Sequence, residues 1–391
     1  MHGLDLARAV LMLVGVVYHG ALLFKAGGGW RIEADSTYQV FNAISDGIHL
    51  FRMHAFYLLS GFFVALVAAK AGDMTSAWNR ISRLAIPMLF VGFTANTIMN
   101  QLSNSWQFET NIESYIIKGQ WLGPLWFVGN LIAYYALSPI LLTVIDKLTF
   151  LNRTRLWMIG PGLLATAAAM VITVSLWGKY LPEMFVMLHF KNLLMFFPVF
   201  VVGLAMHRAM ESFTSALSLR GSLLIFVPAL GMRLVASSLN FYGIHYVLGE
   251  TIQQYFALAV ALCVIAIFNQ LAKPGPVLKY FVDASYTLYL VHMPVIVVLH
   301  SVMAPLRLAW YVEYPAIVGI TTILCLQLHH KVVARIPLVA WLLNGTPMKQ
   351  RIGSADIAVR PPTALCPKLA VASWFTRSME QWPLNGGTRV R

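Results

Sequence analysis

The chain has 391 residues, of which 59% are apolar and only 11% are charged, where a soluble domain averages about 25% charged. Together with a mean hydropathy of +0.70, this excludes an ordinary water-soluble globule. The net charge of +13 does not signal nucleic acid, because the 28 Lys and Arg form no continuous basic face and sit mostly in alternate loops, as the positive-inside rule requires.

Ten apolar segments follow one another near 4–24, 49–69, 84–103, 124–146, 156–177, 192–210, 217–238, 247–271, 284–303 and 312–334. Each is long enough to cross a hydrocarbon core of ~30 Å as a helix. The expected fold is therefore all-α, a polytopic integral membrane protein of about ten transmembrane helices. An even number of spans puts both termini on one side. The even-numbered loops and the C-terminal tail carry 19 Lys or Arg, against 6 in the odd-numbered loops, which places both termini in the cytoplasm. Glu33, Asp35, Glu109, Glu113 and Glu183 then face outward. The first apolar run lacks a basic leader and a small-residue cleavage site and reads as a retained span. Residues 1–350 form one transmembrane domain. Residues 351–391, punctuated by Pro361, Pro362, Pro367 and Pro383, read as a basic, poorly ordered cytoplasmic tail. Cys263, Cys325 and Cys366 imply no disulfide framework.

Ionisable side chains inside a membrane helix cost about 2.5–3.5 kcal/mol on insertion scales and are functional candidates by default. Arg8 and His19 lie in the first span. Eleven residues of helix place them ~20° apart on one face and ~16 Å apart along the axis. Snorkelling to the headgroups is the bland account of Arg8, and a bond to a neighbouring helix that of His19, and the functional reading outweighs both. The second span opens with Asp46, His49, Arg52 and His54 at about the depth of His19. A carboxylate such as Asp46 can orient an imidazole that acts as a base, and an interfacial Asp that only meets water fits the same sequence.

Arg80 and Arg83, at i and i+3, project from one side of the third helix. Two guanidiniums there can grip phosphates, or simply set topology. Ser285, Tyr289 and His292 share a face of the ninth span, with His292 near its middle and Pro294 just beyond. Trp126 enters the fourth span from the outer side, where aromatic belts also place tryptophan. His329 and His330 end the tenth span and are expected among headgroups. No Cys/His spacing suggests a metal site, and Gly27, Gly28 and Gly29 do not form a phosphate loop.

The segments LDLARAVLMLVGVVYHG at 4–20, SDGIHLFRMHAFYLLSGFF at 45–63, RISRLAIPM at 80–88, PLWFVGNL at 124–131, KNLLMFFPVFVVGLA at 191–205, YFVDASYTLYLVHMPV at 280–295 and ARIPLVAWLLNGTP at 334–347 together resemble the acyltransferase 3 family of membrane acyltransferases. Within it, the likeness is to the glucans biosynthesis protein C group, which places succinyl groups on osmoregulated periplasmic glucans. Two positions depart from the family pattern. Pro124 stands where a His usually precedes the LWF triplet, and Met293 where a second His usually follows His292.

The resemblance implies an O-acyltransferase of the bacterial inner membrane. It implies a cytoplasmic acyl-CoA donor, succinyl-CoA favoured, a periplasmic glucan acceptor and no bound cofactor. The bilayer is its medium, and a homodimer is left open. On this reading Arg8, Arg80 and Arg83 bind the donor's phosphates, and His19 is the general base, with Asp46 and His292 as its catalytic neighbours. His49, Ser285, Tyr289 and Trp126 position substrate, and Arg52 holds the free carboxylate of a succinyl group. An O-acetyltransferase of another envelope polysaccharide is the alternative within the class. A glycan or anion transporter is the alternative outside it, disfavoured by the lack of a visible internal repeat.

Overall fold

The computed structural model describes residues 2–28, 30, 32–103, 115–116, 119–148, 151, 153–177, 189–239, 244–273 and 275–346. The expected tail at 351–391 lies outside the described residues. Regular structure among them is helical: α1 His2–Leu22, α2 Gln39–Ala71, α3 Asp73–Phe93, α4 Ala95–Leu102, α5 Trp126–Lys147, α6 Leu156–Trp177, α7 Phe190–Met206, α8 Met210–Ala216, α9 Leu219–Ser237, α10 Ile244–Leu271, α11 Pro276–Met303, α12 Trp310–Gln327 and α13 Pro337–Asn344. Among the described residues, nine stretches are long and apolar enough to span a membrane. A tenth is reached if α7 and α8, which meet at 113°, count as one. The protein is an all-α polytopic membrane protein.

Every expected span coincides with helix, with differences in extent. The third, expected from 84, begins at Asp73 and breaks at Thr94 between α3 and α4, and the ninth, expected from 284, begins at Pro276. The sixth, expected over 192–210, is a 17-residue α7 followed by the bend. The second begins ten residues before 49, at Gln39. Its first turns are polar (Gln39, Asn42, Ser45, Asp46), so hydropathy alone places the start too late. The longer helix carries His49, Arg52, Met53 and Phe56 at i, i+3, i+4 and i+7, one continuous face. That face looks onto α1.

The first helix is the centre of the bundle, packed by α2, α10, α11 and α12. On the other side of α2, α7 crosses at very short range. A Cβ at Gly61 would lie 2.2 Å from the Phe200 carbonyl oxygen, and one at Gly203 2.3 Å from that of Leu58. Two facing glycines let the backbones touch, which is how membrane helices gain packing where lipid is as apolar as the protein. Seven helices contain proline, including Pro294 inside α11, which continues to Met303 as one element. Neighbouring helices re-satisfy the freed carbonyls in such bundles.

Some polar groups buried between helices are paired across them. Asn130 donates to the Tyr57 hydroxyl at 3.4 Å, and the Tyr134 hydroxyl donates to the Leu193 carbonyl. His329 does not meet headgroups as expected. A π-helical turn at Leu328–Val333 buries His329, whose Nδ1 lies 2.8 Å from the Thr287 hydroxyl, which in turn donates to Asn344. His330 stacks on Tyr280 at 3.7 Å. Trp121, at the entry to α5, is also buried, stacked on Phe93.

Candidate active site

The continuous helix α1 carries Arg8 at one end and His19 at the other, ~16 Å apart along its axis. Around each a cavity opens. The first is lined by Arg8, Phe63, Tyr135, Ser285 and Tyr286. The second, of about 110 Å³, is lined by Gly15, Tyr18, His19, His49, Arg52, Trp126, Tyr289 and His292 among others. Met12, Phe56, Phe127 and Tyr289 border both. The two cavities therefore lie end to end along one face of α1, with an apolar neck between them.

The Arg8 end gathers guanidiniums. Arg8 pairs with Asp5 at 3.4 Å and lies over the Phe63 ring at 5.5 Å. Arg80 donates to the Phe63 carbonyl at 2.8 Å and sits over Tyr135 at 5.7 Å. Arg8 and Arg83 are both within electrostatic reach of Arg80. Gly345, with φ of 60°, ends α13 against the Arg83 backbone and closes this end of the bundle.

The His19 end is built from four helices, α1, α2, α5 and α11. His19 and His292 face each other with ring centroids 5.1 Å apart. His292 is 2% exposed. Its Nδ1 lies 2.7 Å from the Tyr289 carbonyl and 3.0 Å from that of Leu288. Carbonyls only accept, so Nδ1 carries the proton, and Nε2 of the neutral ring is a bare acceptor. Nε2 and the Nδ1 of His19 are buried with no protein hydrogen-bond partner among the described residues. His19 is held by ring contacts, with Trp30 at 6.3 Å and Tyr18 edge-on at 4.8 Å.

Arg52 enters the same cavity from α2. Its guanidinium lies 4.4 Å from the Tyr18 ring centre, and Nε is buried without a partner. Among the described residues no carboxylate is within ion-pair distance of it. A Cβ at Gly15 would sit 3.0 Å from Nη1 of Arg52 and 4.0 Å from Nε2 of His292, so the missing side chain at Gly15 is what lets these groups approach α1. His49, stacked on Tyr18 at 5.7 Å, is exposed at the mouth.

Several expected placements change. Asp46 does not orient His19. It is exposed and accepts from Lys25 Nζ at 2.7 Å, because the residues just past α1 swing a lysine over the start of α2. Ser285 lines the Arg8 cavity, not the histidine one, and its hydroxyl donates to its own helix at the Val282 carbonyl. Tyr289 stands at the neck and donates to the carbonyl of Pro124 at 2.9 Å, so the backbone of one departing position still serves the site. Met293, the other, packs with Met99 and Val297 beneath Trp30. Trp126 lines the histidine cavity as expected.

Gly15, Tyr18 and Trp30 are site residues that spacing did not single out. Gly15 and Tyr18 fall one turn and one residue before His19, which is the signal that was available. Among the described residues no group of His, Cys, Asp and Glu is arranged to hold a metal.

Residues 1–330 match the family model described as an acyltransferase domain, of the acyltransferase 3 type. The chain belongs to the acyltransferase 3 family. Among curated relatives, the glucans biosynthesis protein C of Salmonella typhimurium and that of Salmonella schwarzengrund are each 23% identical to it. Both alignments cover 90% of this chain and 97% of the relative. No solved structure matches. An acyltransferase 3 protein with these helices is a multi-pass membrane acyltransferase, and the polar face of α1 is its candidate active site.

Proposed function

We propose that this acyltransferase 3 member moves an acyl group, succinyl favoured, from cytoplasmic acyl-CoA to hydroxyls of a periplasmic glucan across the bacterial inner membrane. The observation that carries the reading is the pair of cavities along one face of α1, one lined by Arg8 with Arg80 against its Phe63 and Tyr135 walls, the other holding two neighbouring histidines. A charged nucleotide needs cations, and guanidiniums match phosphate oxygens bidentately. Arg8, Arg80 and Arg83 take that part. The ~16 Å to His19 suits an extended pantetheine arm threaded through the apolar neck.

At the far end a sugar hydroxyl attacks the thioester carbonyl. His19 takes its proton as general base, and the thiolate of CoA leaves with the electron pair of the broken C–S bond. The hydrogen bonds of His292 and Tyr289 narrow their roles. Neutral His292 presents only an acceptor to the cavity, and the Tyr289 hydroxyl proton is committed to Pro124. Neither is the donor for an oxyanion. Arg52 is the cation of the cavity, suited to an anion that the substrate brings, which for a succinyl donor is the terminal carboxylate.

The test is made in glucan-producing cells lacking their own enzyme. Wild type and His19→Ala are expressed to equal membrane levels, and the extracted glucans are weighed by mass spectrometry. The expected result is a mass increment of one succinyl group or more per glucan that is absent in the variant. No increment from a well-expressed wild type would sink the glucan reading, and an increment that survives His19→Ala would sink the assignment of the base.

A further inference from the structure

A third concavity lies beyond the His19 end of the bundle, and the acyl-transfer chemistry makes no use of it. It encloses about 380 Å³, within the range of small-molecule sites. Its floor is a buried acid–base pair. His300 Nδ1 and Glu313 Oε1 lie 2.9 Å apart, with the side chains 7% and 8% exposed. The walls are aromatic on one side, Tyr38 and Trp310 with ring centroids 5.5 Å apart, and polar on the other, Asp35 and Arg307.

Three features argue for a ligand here. Replacing a buried ionisable pair by apolar residues of like volume is often neutral or stabilising, so helix pinning alone is a weak reason for His300–Glu313. Arg307, the left-handed cap (φ 47°) that ends the short turn Ala304–Leu306, puts an exposed guanidinium on the lining. The combination of groups is also specific. Carboxylates of Asp35 and Glu313 against a single guanidinium do not suit an anion, whereas two aromatic rings tilted at 47° to one another beside several donors and acceptors suit a neutral sugar, which has C–H faces and a rim of hydroxyls.

The position relates this pocket to the transfer centre. His300 is two turns beyond His292 on α11, about 12 Å along the axis. Tyr38 immediately precedes α2, the helix that brings Arg52 and His49. We infer that this pocket is an acceptor subsite that holds a neutral glucose unit of the glucan chain at a distance from the unit being acylated. The inference rests on the glucan reading above for the identity of the sugar.

Binding is measured without acyl transfer, so that the two readings fail separately. The purified full chain in nanodiscs is titrated with neutral glucans extracted from a glucan-producing bacterium, following tryptophan fluorescence and calorimetric heat. Tyr38→Ala and Arg307→Ala alter exposed positions, and Glu313→Gln probes the floor. The expected result is that each variant weakens glucan binding at least tenfold, leaves acyl-CoA binding unchanged, and raises KM for glucan with little change in kcat. Unchanged affinity in Tyr38→Ala and Arg307→Ala, or no binding by the wild type, would overturn the pocket assignment. Glucan binding that needs these residues, in a protein that transfers no acyl group to the glucan, would uphold the pocket and overturn the transfer reading.

Discussion

His19 on α1 and His292 on α11 face one another with ring centroids 5.1 Å apart, and each presents a buried ring nitrogen that no described protein group satisfies. Unpaired polar atoms are expensive in a bundle core. Two of them on adjacent rings in one cavity support the proposal that substrate supplies the missing partners there. The arrangement replaces the carboxylate–histidine pairing expected from Asp46. Here the second imidazole, fixed in its tautomer by the Leu288 and Tyr289 carbonyls, stands where an orienting acid would.

If the two rings act as a unit, their losses do not add. His19→Ala and His292→Ala are each expected to lower kcat by about 10²–10⁴-fold, the usual worth of general base catalysis, and the double variant to be little worse than the poorer single one. Single-turnover transfer rates in membranes check this. A double variant that loses the product of both factors would mean that the rings act independently.

Arg52 separates two uses of a cation. Arg52→Ala is expected to lower succinyl transfer about tenfold or more beyond its effect on acetyl transfer, a difference of about 1.4 kcal/mol or more. Parallel kcat/KM values with succinyl-CoA and acetyl-CoA make the comparison. Equal losses with both donors would move Arg52 from the carboxylate to the thioester oxygen, since both donors have that oxygen in common.

At the other cavity, Arg80→Ala and Arg8→Ala are expected to raise KM for acyl-CoA about tenfold each, with Arg80→Lys recovering little. A lysine keeps the charge, but its single ammonium does not reproduce the planar fork that reaches the Phe63 carbonyl. Donor titrations at saturating acceptor check this. A fall in kcat at constant KM would argue against phosphate binding at this end.

Two glycines of α1 and α2 give opposite expectations from the same substitution. The new Cβ of Gly15→Ala meets the far end of a flexible side chain, Arg52 Nη1 at 3.0 Å. The protein is expected to fold normally and to lose activity about tenfold as the guanidinium is displaced. The new Cβ of Gly61→Ala meets backbone, the Phe200 carbonyl oxygen at 2.2 Å. Overpacking of that kind costs about 1–3 kcal/mol, so a lower melting temperature in detergent is expected. Thermal melts and transfer rates on both variants distinguish the cases.

Membrane class, the number of long apolar helices and the pairing of Arg8 with His19 on one helical face were legible in the sequence. Each depends on local quantities: segment length against bilayer thickness, charge density, and a rotation of 100° per residue. The pattern over residues 4–347 likewise pointed to the family before any coordinates. What lay beyond sequence was every relationship between helices. That Asp46 would turn to Lys25, that Ser285 would open onto the arginine cavity, and that Gly15 would clear a path for Arg52 all depend on how α1, α2 and α11 rotate and approach. Those rotations are set by close contacts such as Gly61 against Gly203, between residues far apart in the chain. The face-to-face placement of His19 and His292 is of that kind, because periodicity assigns a residue to a face and only packing decides which faces meet.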